Sequence, residues 1–121
     1  MVSAAVWIIS LTVVAGTVLG LWHLRASERV GRPPLWMGIA HGSAGAVGLG
    51  LLVLALGGPP RGAASGTASF GPTAAWLFGA ALVSGAVIMA RRKRGPAITM
   101  IVHAGLAVTG WVLLLAWTSL G

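Results

Sequence analysis

Four stretches of the chain, residues 3–22, 35–56, 73–90 and 97–118, contain no Asp, Glu, Lys or Arg. Each is close to the ~20 predominantly apolar residues that cross a bilayer as a helix. Over the full 121 residues, 57% are hydrophobic and 7% are charged, whereas a soluble domain needs roughly 25% charged residues to cover itself. The expected fold is therefore an all-α membrane protein with four transmembrane helices in an up-down-up-down bundle, a single transmembrane domain over residues 1–121. The first stretch lacks a basic leader and a small-residue cleavage site, and it reads as a retained span.

The polar residues point to topology. Seven of the eight basic residues lie in two short connections, 23–34 and 91–96, and the eighth, Arg61, sits in a Gly/Pro/Ala/Ser segment at 57–72 that reads as a flexible loop. By the positive-inside rule, both basic connections are expected in the cytoplasm, with both termini outside, as in a bacterial-type inner membrane. Trp7, Trp76 and Trp117 near the outer ends, with Trp22 and Trp36 near the inner ends, read as two interfacial belts. The basic run Arg91-Arg92-Lys93-Arg94 suits anionic lipid headgroups. Nucleic-acid binding is not expected, because no folded basic domain presents the charge.

The second and fourth spans repeat one pattern at an offset of 62 residues, Arg-x-Pro-x6-His-x6-Gly-x2-Leu-Leu. It pairs Arg32 with Arg94, Pro34 with Pro96, His41 with His103, Gly48 with Gly110, and Leu51-Leu52 with Leu113-Leu114. Arg, Pro and His are scarce in such a sequence, so their shared spacing carries the comparison. Two parallel two-helix repeats follow, over about 1–56 and 73–118. The first and third spans align weakly at an offset of 65, with Gly20 on Gly85.

His41 and His103 are the ionisable residues inside the spans, and such residues are functional suspects by default. Each lies seven residues after a proline at the start of its helix, roughly 10 Å below the membrane boundary at about 1.5 Å per residue. Gly45 and Gly48 follow His41, and Ala107 and Gly110 follow His103, at helical spacing on the same face. Such a stripe leaves room for a flat object. Two histidines at one depth on parallel, diagonal helices suit a single haem held upright by both. Its propionates would then reach Arg25, Arg29, Arg32 or Arg94 at the inner edge.

These residues resemble membrane b-type cytochromes, in particular the four-helix cytochrome b561-like group, in which transmembrane histidines hold haem b. The resemblance covers His41 with Gly45 and Gly48, and His103 with Ala107 and Gly110. It implies haem b, with His41 and His103 on the iron, in an electron carrier. Members of that group hold two haems with four histidines, and two such residues lie within the spans here. The pattern also resembles small uncharacterised bacterial four-span proteins, which imply no activity.

Three functional readings follow. The first is a haem b protein passing electrons near the cytoplasmic side, a carrier or accessory subunit rather than an enzyme with its own substrate, with a quinone or a redox protein as partner. The second is a cofactor-free structural subunit of a respiratory or photosynthetic membrane complex, or a homo-oligomer, its small residues serving helix packing and each imidazole bonding a neighbouring helix. The third is a small channel or transporter using the histidines as a proton relay. Zero Cys and a single acid, Glu28, argue against thiolate metal sites, zinc and a Ser-His-acid hydrolase. The Gly-rich segments lack a phosphate-loop ending, the first span lacks the carboxylate of small multidrug exporters, and interfacial His23 reads as a headgroup contact.

Overall fold

In a computed structural model, residues 1–26, 31–91 and 97–121 are described. They form four α-helices, α1 (Val2–Arg25), α2 (Leu35–Leu56), α3 (Phe70–Ala90) and α4 (Ala97–Leu120), each long and apolar enough to cross a membrane. The α2 boundaries coincide with those read from hydropathy, and α1 and α4 run further into their polar flanks. Pro34 precedes α2 in an extended conformation, and Pro72 falls in the first turn of α3, where a missing N–H removes no helical bond. At the other end of α1, His23 and Arg25 lie in the last turn, where cations favour the helix dipole.

Neighbouring helices pack in the ring order α1, α2, α3, α4. The closest associations are the two hairpins α1/α2 and α3/α4, and α2 lies diagonally across from α4. In lipid, apolar burial does not drive helices together, so close packing must. That packing is concentrated in the half of the bundle holding the termini, where Ala5, Ile9, Leu52, Ala74, Phe78, Leu114 and Trp117 form the core.

The two hairpins share their main glycine contacts. A Cβ on Gly48 would come within 2.7 Å of Ile9 and 3.3 Å of Ile8, and one on Gly110 would come within 3.3 Å of both Phe78 and Leu77. These pairs superpose α2 on α4 at the expected 62 residues, but α1 on α3 at 69, not at 65. The larger offset places Ala5 on Ala74 and Ile9 on Phe78, all buried, and Trp7 on Trp76, both exposed. It also places Gly16, not Gly20, on Gly85. The first hairpin carries seven more residues between its glycine and its histidine, as a longer connection and a further turn of α1.

The connection at residues 57–69 is built from turns, and one local expectation changes. Thr67 N–H donates to Gly62 C=O at 2.8 Å, Phe70 N–H donates to Thr67 C=O at 3.0 Å, and Gly62 and Gly66 supply positive φ. Trp117 is a core residue, 3% exposed and seated on Gly71, and not part of a belt. Trp7, Trp36 and Trp76 are exposed as expected, and Trp22 donates its indole N–H to Gly31 C=O at 2.9 Å.

Candidate functional site

His41 is the seventh residue of α2 and His103 the seventh of α4. Equal depth on diagonal helices brings the two imidazoles together inside the bundle, with ring centroids 6.2 Å apart and planes at 70°. Both residues are half-buried. Each ring lies against a glycine of its own hairpin. A Cβ on Gly16 of α1 would come within 2.5 Å of His41 Cε1, and one on Gly85 of α3 within 3.1 Å of His103 Cε1. Those glycines let the neighbouring backbone close to ring contact.

The two rings are held differently. His103 Nδ1 lies 2.8 Å from the Ala81 carbonyl and 3.0 Å from Ser84 Oγ, and the Ser84 hydroxyl donates to the same carbonyl at 2.8 Å. A carbonyl only accepts, so Nδ1 carries the proton and Nε2 keeps its lone pair. At the corresponding position beside His41 stands the backbone of Thr12, which bonds the ring only weakly, so that the buried Nδ1 has no short, well-aligned partner. The residue matching Ser84 is Ala15, which has no hydroxyl.

On the side of the pair facing the core, space is filled by packing. Gly48 and Gly110 receive Ile8, Ile9, Leu77 and Phe78, and a Cβ on Gly45 would lie 3.7 Å from the Thr12 methyl. Gly48 and Gly110, and more loosely Gly45, are therefore points of contact between helices. Glycine permits close approach, and the neighbouring helix has taken it. Further out, Trp111 Nε1 donates to Ser10 Oγ at 2.8 Å and joins α4 to α1.

One turn to the other side of the histidines, the fillers are methionines. Met89 of α3 reaches Gly38 of α2, its Sδ 2.9 Å from where a Cβ would lie, and Met100 of α4 approaches Gly20 of α1 at 3.7 Å. At the offsets of 69 and 62, Gly20 corresponds to Met89 and Gly38 to Met100. The two hairpins thus exchange notch and filler. Unbranched Met has the freedom to withdraw that Ile and Phe lack.

Gly16, Ala81, Ser84, Met89 and Met100 were not marked by the sequence pattern, and Gly85 was paired there with Gly20, whereas an alignment anchored on Trp7 and Trp76 pairs it with Gly16. Arg25 and Arg32 are exposed at the polar end of the bundle, while Arg29 and Arg94 lie outside the described residues. Among the described residues, no three His, Cys, Asp or Glu side chains converge as a metal site. A shallow apolar groove of about 210 Å³ lies between α3 and α4, lined by Ser84, Val87, Ile98, Thr99 and Val102. It sits beside the histidine pair and does not contain it.

Fold and site together define a multi-pass four-helix membrane bundle with an inward-facing histidine pair. No family model matches the chain, and neither curated proteins nor solved structures give a match.

Proposed function

We propose that the protein binds one haem b between His41 and His103 and carries single electrons within a bacterial-type inner membrane. The observation that supports this most strongly is the 6.2 Å between the two ring centroids. His41 and His103 would hold the haem iron between them, and two histidines would suffice where a zinc site would need three or four protein ligands.

The fit extends to the donor atoms and the surrounding space. His103 presents a bare Nε2 because the Ala81 carbonyl fixes the proton on Nδ1, the arrangement that orients metal-bound histidines and raises their basicity. A macrocycle would need room on the methionine side, where Met89 and Met100 fill the notches at Gly38 and Gly20 and would have to withdraw. Gly48 and Gly110, named with Gly45 and Ala107 as lining, meet Ile9 and Phe78 on the core side of the histidines.

When bound, haem would supply a one-electron iron couple whose potential depends on burial and on hydrogen bonds to its ligands. The chain's own work is to hold the rings at one depth, to exclude water with the packed core, and to offer basic residues at the inner end. Arg25 and Arg32, with Arg94, are the candidates for the propionates. Under the positive-inside rule that end faces the cytoplasm. With so little mass outside the membrane, the electron partner is a quinone or another membrane redox protein, and the chain acts as a carrier or subunit.

The test is an absorption spectrum of detergent-purified protein from cells supplied with haem precursor, before and after dithionite. A sharp reduced α-band near ~560 nm in the wild type, lost in His41→Ala and in His103→Ala, is the expected result for bis-histidine haem b. Folded, haem-replete protein without colour overturns the proposal. It would favour a cofactor-free packing subunit, for which Gly48 and Gly110 already provide the contacts.

A further inference from the structure

The four helices form two hairpins, and the contacts inside each hairpin differ from those between them. Inside, α1 meets α2 through Ile9 on Gly48 and the His41 ring on Gly16, and α3 meets α4 through Phe78 on Gly110 and the His103 ring on Gly85. Between the hairpins, the half of the bundle holding the termini is joined by stiff parts. Its core draws Ala5 and Ile9 from α1, Leu52 from α2, Ala74 and Phe78 from α3, and Leu114 and Trp117 from α4. A Cβ on Gly71 of α3 would come within 3.0 Å of Leu56 of α2, and Trp111 Nε1 donates to Ser10 Oγ across the α4/α1 seam at 2.8 Å. The chain itself passes from one hairpin to the other at this end, through residues 57–69.

At the other end, which carries the basic connections, the chain joins α1 to α2 and α3 to α4, so it does not tie the hairpins to one another. The α2/α3 seam is filled there by Met89 lying on Gly38, and the α1/α4 seam by Met100 approaching Gly20. Met is unbranched and changes shape through three rotatable bonds, and glycine gives it no side chain to interlock with. The two seams are equivalent under the repeat, because the offsets of 69 and 62 exchange Gly20 with Met89 and Gly38 with Met100. Between the stiff half and the methionine half lie the histidines, one on each hairpin, with ring centroids 6.2 Å apart.

We propose that the two hairpins are rigid bodies that swing apart at the basic end, hinged on the core and on residues 57–69, so that Met89 and Met100 leave Gly38 and Gly20 together and the contact between His41 and His103 parts. Hinge motions need a packed pivot and a few chain residues that absorb the rotation. The branched and aromatic core supplies the pivot, since sliding it apart would forfeit its dispersion contacts. The methionine seams supply the part that yields. His41 and His103 then form a latch, closed at the observed separation and open when the hairpins diverge. The motion belongs to the chain without any bound group and does not rest on the haem reading.

The test uses the full chain in detergent, free of haem. The ¹³C-labelled methyl groups of Met89 and Met100, assigned by substitution, should both show exchange on the μs–ms timescale of hinge motions, with one shared rate and a minor population of about 0.1–10%. The chain has no Cys, so Gly38→Cys with Met89→Cys places one disulfide across the α2/α3 seam alone. Closing that seam should abolish the exchange at Met100 in the other seam, and reduction should restore it. Met89→Ala, which empties the notch at Gly38, should increase the exchange at Met100. Two methionines moving independently in separate notches predict neither effect. The Trp111 indole N–H resonance should stay in place in every variant, marking an intact pivot. Static methyls in the wild type, different rates at Met89 and Met100, Met100 exchange indifferent to the disulfide or to Met89→Ala, or a Trp111 resonance that moves with the seam overturns the inference. Haem uptake by the wild type is a separate measurement, so either idea can fail alone.

Discussion

Gly16→Ala is the most direct perturbation of the site, because it adds a single methyl against the ring of His41. The new Cβ would lie 2.5 Å from Cε1, 3.1 Å from Nε2 and 3.4 Å from Nδ1. Carbon atoms prefer about 3.5–4.0 Å, so the ring must move by about 1 Å or α1 must withdraw from α2. Overpacking of this kind costs typically 1–3 kcal/mol. A gain of up to about 1 kcal/mol from replacing a helical glycine opposes it, though less in a bilayer, where the helix is already formed before it packs. The expected net loss is about 1–2 kcal/mol. Gly42→Ala is the control, since a Cβ there meets nothing within 4 Å. Gly85→Ala is intermediate, with its closest approach at 3.1 Å to a ring that is held in place. Reversible unfolding in mixed detergent micelles gives the stabilities, and the His41 imidazole resonances report ring displacement. If Gly16→Ala matches Gly42→Ala in stability and leaves the His41 resonances unmoved, the ring does not rest on α1 and the geometry argued here is wrong.

The packing of the core gives three further expectations. Trp117→Ala should cost about 3–5 kcal/mol in the same assay, whereas Trp76→Ala, at a position 82% exposed, should stay within about 0.5 kcal/mol; similar losses at both would restore Trp117 to the interface. Gly48→Ala should cost about 1–3 kcal/mol through the contact with Ile9, and Ile9→Ala in the same chain should make the added methyl nearly neutral, a coupling that a double-mutant cycle measures. Ser10→Ala should lose about 0.6 kcal/mol, and at most about 1.7, by removing the acceptor of the Trp111 indole N–H, with a shift in Trp111 fluorescence as a second readout.

What could be read from sequence differed between the two layers of the molecule. The spans were legible because lipid imposes a length and a composition on any helix that crosses it. For α2 the end residues coincide, since Pro34 and Gly57 stand at its two ends. The histidine pair was legible because its spacing from the opening proline is carried by rare residue types. The register of α1 on α3 was not, because Gly20 and Gly85 offered a cheap match in a chain with 19 glycines. The structural match uses Ala5, Trp7, Ile9 and Gly16, of which only the tryptophan is unusual. Trp117 was misplaced because position along a helix says nothing about which face the side chain occupies.

The glycine stripe shows the physical limit of such reading most clearly. A glycine on an inward face can leave a groove or let a neighbour approach, and one helix's sequence does not decide between them. The energetics do. An unfilled groove forfeits the dispersion contacts of everything that lines it, and in a bilayer those contacts are what hold the helices together. Beyond the histidines, the neighbouring helices therefore close onto Gly48 and Gly110 with stiff, branched or aromatic side chains. On the opposite side the notches at Gly20 and Gly38 meet Met100 and Met89, which can leave at little cost in strain. The same residue type thus serves rigidity on one side of His41 and His103 and accommodation on the other. That division places the adaptable half of the bundle next to the exposed Arg25 and Arg32 and the rigid half next to the termini.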